Sequence, residues 1–213
     1  ADLAREPAQV ATAINVDGVE RPADNSHGKP IHQTEAGTRK FWRWFGDSLV
    51  RDGEGRPLVV YHATESDIAT FNERDAAKNQ SFLYGGEKGA GGFFFTASKA
   101  VANDYTEDRP NANIIPAYLR LDNPAYLDET LSLEEQADKL REARANGHDG
   151  AIIGDTSEYV VFTSGQIKSA TGNVGEFDGG NPDIRFSKQA MAQGEKPDKH
   201  LTRKEAELVT KEW

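Results

Sequence analysis

A series of short strand-forming runs, each closed off by turn residues, constrains this chain more than any other feature. The runs are Leu58-Val59-Val60-Tyr61-His62, Gly92-Phe93-Phe94-Phe95-Thr96, Ile114 to Leu121, Ala151-Ile152-Ile153 and Tyr159-Val160-Val161-Phe162. Each is rich in Val, Ile, Tyr or Phe and bounded by Gly, Pro, Asn, Asp or Ser, the pattern of a strand. Ser48-Leu49-Val50, the turn Asp52-Gly53-Glu54-Gly55 and the strand after Pro57 predict a hairpin. A short strand follows at Ile167-Lys168. Helical patterns are few. Ala97 to Tyr105 is a short one. Leu131 to Ala145 is the best, opened by a Ser132-x-x-Glu135 capping box, with Leu133, Ala137 and Leu140 tracing one face and Asn146-Gly147 ending it. Strands outnumber helices and are joined by irregular loops, so the regular alternation of a doubly wound sheet is absent. The expected fold is α+β, with a mainly antiparallel and split sheet.

The remaining stretches divide the chain. Residues 1 to 39 carry scattered Pro and Gly among polar residues and read as a flexible leader, with a helical turn or two over Ala8 to Ile14. Order is expected from the aromatic run Phe41-Trp42-Arg43-Trp44-Phe45, read as core packing, and a folded domain over residues 40–187. Residues 188–213 are charged and lead out of that domain, with a helix over Thr202 to Trp213. Residues 65 to 90 are irregular and Gly-rich, and a loop of that length inside a compact domain is more often functional than idle. The chain of 213 residues is 37% hydrophobic and carries a net charge of -10, which opposes non-specific binding to nucleic acid or anionic membranes. It has no cysteine, so thiol nucleophiles and Cys-ligated zinc are excluded. No apolar run approaches the roughly 18 residues of a membrane span. The first residue is Ala, and both ends read as cuts from something longer.

The polar residues attached to these strands carry the chemistry. Glu158 opens the apolar run Tyr159-Val160-Val161-Phe162, where a carboxylate is costly to bury. His62 closes an apolar strand and is followed by Ala63 and Thr64. Phe94 lies in the aromatic strand and Tyr105 eleven positions further on. Each alone has an ordinary structural reading: a satisfied strand-end His, a solvated Glu, core aromatics. In their order and local context they resemble the His-Tyr-Glu signature of the ADP-ribosyltransferases, over about residues 41 to 187.

That resemblance implies NAD as co-substrate and cleavage of the nicotinamide–ribose bond. It implies that His62 donates to a ribose hydroxyl and that the backbone of Ala63 holds the nicotinamide amide. Thr64 matches the hydroxyl residue that follows. Gly92, Phe93 and Phe94 form the aromatic strand, and Phe94 and Tyr105 sandwich the nicotinamide ring. Glu158 stabilises the ribosyl cation and orients the acceptor. Positive charge builds on the ribose as the bond breaks, much as in glycoside hydrolysis, so a fixed negative group is the largest expected aid. The departures are Phe94 for a usual Tyr, Ala63 for a usual Gly, and Ala102 where a hydroxyl is common. Closer similarity, through Trp44-Phe45-Gly46-Asp47-Ser48, Gln166-Ile167-Lys168-Ser169-Ala170-Thr171-Gly172-Asn173 and Asn181-Pro182-Asp183-Ile184-Arg185-Phe186-Ser187, is to the transferase-like domain of phage and mobile-element polyvalent proteins. This implies a mono-ADP-ribosyltransferase delivered into a host cytoplasm, acting on a macromolecule, protein rather than nucleic acid, as a monomeric domain of a larger protein. An NAD glycohydrolase and an inactive module that binds NAD-like ligands or a partner are the alternatives. His27, His32, His148 and His200 read as incidental, no His pair has metal spacing, and no metal is expected.

Overall fold

The computed structural model describes residues 13–65, 68–73, 91–106, 112–155 and 158–185. The Gly-rich stretch before Gly91, the turn at Thr156-Ser157 and the helix expected at the C-terminal end lie outside the described residues.

Nine strands and three helices are present among them. β1 (Ala13–Val16) and β2 (Val19–Pro22) form a separate hairpin. α1 spans Glu35–Phe45. The main sheet follows: β3 (Val60–Thr64), β4 (Phe93–Thr96), β5 (Asn113–Leu119), β6 (Pro124–Leu127), β7 (Gly150–Ile153), β8 (Glu158–Val161) and β9 (Ile167–Ser169). α2 (Lys99–Asp104) follows β4, and α3 (Leu133–Ala145) lies between β6 and β7. The strand order is β6-β7-β8-β4-β3-β5-β9. Every pairing is antiparallel except β6 with β7, so the fold is α+β with a mostly antiparallel sheet.

The sheet is nearly divided between β3 and β4. These strands share one register pair, Tyr61 with Thr96, whereas β3 pairs with β5 from Val60 to Thr64 and β4 pairs with β8 along its whole length. One half-sheet is β5, β9 and β3; the other is β4, β8, β7 and β6. The seam between them is where backbone groups are left for side chains or ligands to satisfy.

The leader is not unstructured. From Ala13 the chain folds into the β1–β2 hairpin, turned at Asp17 (φ 52°) and Gly18 (φ 92°). Two consecutive positive φ values make the tight turn that Asp-Gly favours, because its twist matches that of the strands. Ile14 and Val16 alternate inward and join Ile31 in a core with Phe41, Trp42, Phe45, Tyr61 and Tyr118. Of the helical turn expected over Ala8 to Ile14, the described residues Ala13 and Ile14 are strand. Buried Asn25 donates through Nδ2 to the Tyr118 hydroxyl at 2.9 Å, and its Oδ1 accepts from the backbone N–H of His27 and Lys29. His32 and His27 also pack. The N–H of Thr34 donates to His32 Nδ1 at 3.0 Å, beside the N-cap of α1, and the ring meets Phe177 edge-on. His27 stacks on Tyr61 with ring centroids 6.3 Å apart.

Two further expectations change. The hairpin at Leu49 to Leu58 narrows to a single bridge, Arg51 with Pro57, because Asp52 Oδ1 accepts from the N–H of Glu54 and Arg56 and closes a tight turn instead. Edge strand β6 is not among the expected runs; it begins at Pro124, where a missing N–H at the first position costs little. The helices expected at Ala97 to Tyr105 and Leu131 to Ala145 are present: Ser98 caps α2, and Ser132 with Glu135 forms the capping box of α3.

Candidate active site at the seam of the sheet

β4 is the element around which the sequence-predicted residues gather. Its entry is fixed from outside the sheet. Gly91 takes φ 59°, and Arg144 from the last turn of α3 donates to the Gly91 carbonyl at 2.8 Å while its guanidinium lies 4.5 Å from the centre of the Phe162 ring. Gly92 is buried against β8, where an added Cβ would come within 2.8 Å of Val160. Its place is explained by packing.

His62, expected to close its strand, is the middle residue of β3 and reaches across the seam. Its Nδ1 lies 2.8 Å from the Phe94 carbonyl oxygen. A carbonyl only accepts, so Nδ1 carries the proton, and in the neutral ring Nε2 is left as an acceptor. Burial holds the His62 pKa below the ordinary imidazole value, with the Phe94 carbonyl opposing. The ring sits on Phe71 (centroids 5.0 Å) and Phe95 (5.2 Å), an apolar floor that disfavours the charged form. In this neutral tautomer Nε2 is able to accept a hydrogen bond, whereas the family resemblance implies donation.

Glu158 begins β8, opposite Thr96 of β4 and Ile153 of β7. Its carboxyl is half-buried, and burial raises its pKa. Among the described residues no cation pairs with it. Tyr105, the C-cap of α2, is 54% exposed; burial of its hydroxyl raises its pKa first, and the Glu158 charge adds to this. Tyr105 and Glu158 therefore lie within electrostatic reach of each other.

Strand alternation sorts the remaining residues. Tyr61, Thr96 and Glu158 are register partners and share the face covered by α2, along with Ala63 and Phe94. His62 and Thr64 belong to the other face and meet that group only where the seam opens. Phe94 is half-buried beside the cluster of Leu140, Val160 and Phe162. Phe93 corrects the expected binding set: its ring is 5% exposed and packs on Phe71 in the core, so only its backbone is open to a ligand. Ala63 lies in regular strand, paired with Ile114, and has no positive φ. Ala102 is buried against the Tyr61 cluster and faces no ligand. Phe71 was not foreseen, since it lies in a stretch without period. Among the described residues no group of three or more His, Cys, Asp or Glu is placed to hold a metal ion, and no helix is long and apolar enough to cross a membrane.

A nearly split, mostly antiparallel sheet with a His and a Glu on strands flanking one aromatic strand is the architecture of the ADP-ribosyltransferase-like α+β fold. The comparisons agree. Residues 52–139 match the family model described as ADP-ribosyltransferase in polyvalent proteins, which supports an ADP-ribosyltransferase-like domain over that stretch. The match includes His62, Phe94 and Tyr105 and ends before Glu158. No curated protein and no solved structure matches.

Proposed function

We propose that this domain is an NAD-dependent mono-ADP-ribosyltransferase. It would break the nicotinamide–ribose bond of NAD at the seam between β3 and β4 and pass ADP-ribose to a macromolecule. The observation that carries the reading is the seam itself. His62 is pinned to the Phe94 carbonyl on one side of β4, and Glu158 stands beside Tyr105 on the other.

The roles follow from the chemistry. Nε2 of His62 accepts from a ribose hydroxyl. The exposed Tyr105 ring offers a face for the nicotinamide, with Phe94 as the opposing wall. Glu158 supplies negative charge to the ribosyl cation as nicotinamide departs, and its partial burial strengthens that interaction over one in water. Ala63 and Thr64, at the end of β3, line the nicotinamide side through backbone and hydroxyl. We take the acceptor to be a protein rather than nucleic acid, because the chain's net charge of -10 repels polyanions. The similarity to polyvalent proteins favours a target in a host cytoplasm and a role as effector.

The test is release of nicotinamide from NAD, with and without cell lysate. Release only with lysate, accompanied by labelled protein, supports transfer. Equal release without acceptor makes the domain an NAD glycohydrolase. Glu158→Gln, which keeps volume and removes charge, should lower release on the order of 10²-fold or more in a folded protein. The working form is the carboxylate, and burial raises its pKa, so activity should fall on acidification at a higher pH than for an exposed Glu. A folded Glu158→Gln protein of normal activity would refute the assignment.

A further inference from the structure

The motif Gln166 to Asn173 and the motif Asn181 to Ser187 have no part in the site described above, yet the structure joins them around one buried cation. Lys168 of β9 is 1% exposed. Its Nζ donates to the Asn181 carbonyl at 2.7 Å and lies 3.4 Å from that of Asp183. On the same strand, the Ser169 N–H donates to the Ile184 carbonyl at 2.9 Å, and Asn173 Nδ2 donates to the same oxygen at 3.2 Å. The Val174 N–H donates to the Arg185 carbonyl at 3.0 Å. Residues 181–185 therefore form a strap laid along the edge of the sheet and held by backbone bonds on both sides.

The strap's other side grips the segment before the Gly-rich stretch. The Ile184 N–H donates to the Ala69 carbonyl at 3.0 Å, and Asp183 bridges Thr70. The next residue, Phe71, is 3% exposed and shares a core cluster with Ile184. Phe71 is the ring on which His62 rests, and it also meets Phe93 at 5.1 Å and Phe95 at 5.7 Å. A chain of contacts thus runs from Lys168 through the strap to Ala69-Thr70, and from Phe71 to His62. The strap thus adds backbone bonds to a segment that Phe71 and Ile68 also anchor in the core.

We propose that Lys168 and the strap of residues 181–185 position His62, acting through Phe71. Lys168 draws the carbonyls of Asn181 and Asp183 onto one ammonium. The cross-link sets the height of the Phe71 ring, and the ring sets the plane and burial of the imidazole at the seam. Lys168 is a positioning residue and touches no reacting group. The consequence for NAD rests on the function proposed above; the effect on His62 does not.

The experiment titrates the imidazoles by NMR in the full chain, assigning His62 by its loss in His62→Gln. In Lys168→Met the His62 midpoint should move up toward the ordinary value of about 6.5, by roughly half a pH unit or more, as the ring becomes wetter. Phe71→Leu, which cuts the far end of the path, should produce the same shift. Ile184→Val trims the strap's core anchor without removing a hydrogen bond; it should give a smaller shift in the same direction and serves if Lys168→Met does not fold. Leu140→Ala, in the core under α3, should destabilise the protein and leave His62 unmoved. An unchanged His62 midpoint in folded Lys168→Met, or in Ile184→Val if that is the folded one, overturns the proposal. So does an equal shift in Leu140→Ala, which would make the effect general loosening. NAD affinity is read in parallel and should weaken several-fold in Lys168→Met. If the wild-type chain binds no NAD, the transferase reading fails while the His62 titration still decides the positioning role.

Discussion

Lys168→Met makes a stability prediction that is independent of any activity. Burial of Lys168 lowers its pKa from 10.5 to about 8, with Asp178 and Asp183 opposing. Because the unfolded chain holds this proton more tightly than the folded one, unfolding takes up protons between about pH 8 and 10.5. Wild-type stability should therefore rise with pH across that window. At roughly 1.4 kcal/mol per pH unit, the charged lysine costs the fold about 3 kcal/mol at pH 7, a cost that is gone above pH 10.5. Methionine keeps the apolar stem and removes both charge and donors. The Asn181 carbonyl then loses its 2.7 Å hydrogen bond, at roughly 1–3 kcal/mol. At pH 7 the two effects nearly offset, and the variant should match the wild type or slightly exceed it. Near pH 10.5 only the lost hydrogen bond remains, and the variant should be weaker by about 1–3 kcal/mol. The assay is urea unfolding at a series of pH values, followed by tryptophan fluorescence. Subtracting the two curves cancels every other titrating group. A difference that stays flat from pH 7 to 10.5 would show that Lys168 is not buried as a cation, and the reasoning would fail.

Removing residues 1–33 should unfold the domain, since Ile14, Val16 and Ile31 leave the core and the Tyr118 hydroxyl loses Asn25. Three buried aliphatic side chains are worth on the order of 5–9 kcal/mol, close to the whole stability of a domain; a melting temperature within a few degrees of wild type would contradict this. Tyr105→Ala should barely change stability, because the ring is 54% exposed, and should raise the NAD dissociation constant roughly tenfold or more if it stacks on nicotinamide. Calorimetric titration with unchanged affinity would remove Tyr105 from the site. Ala63→Gly should relieve no strain, because Ala63 has no positive φ. It should lower stability by roughly 0.4–1 kcal/mol through the unfolded chain and leave NAD affinity as it was; tighter binding would mean that this backbone rearranges around its ligand.

The sequence by itself determined the elements that depend on local chemistry. The β-branched and aromatic runs became strands, the Ser132–Glu135 box capped its helix, and the α+β class followed from their order. Asp17-Gly18 is equally local, but the Pro, Gly and polar residues around it read as a leader and mask the hairpin. The order of His62, Phe94, Tyr105 and Glu158 marked a candidate site without saying how these residues lie in space. What only the tertiary structure decided is their relative placement. Strand alternation places His62 and Glu158 on opposite faces of the sheet, and β3 and β4 share a single register pair. The direction of the His62 proton depends on the Phe94 carbonyl, 32 residues away. The floor under His62 comes from Phe71, and its support from Lys168 and Ile184, about a hundred residues later in the chain. Contacts of that kind carry no period and no spacing. They arise from the register of distant strands and the satisfaction of buried carbonyls, which exist only once the chain has closed on itself.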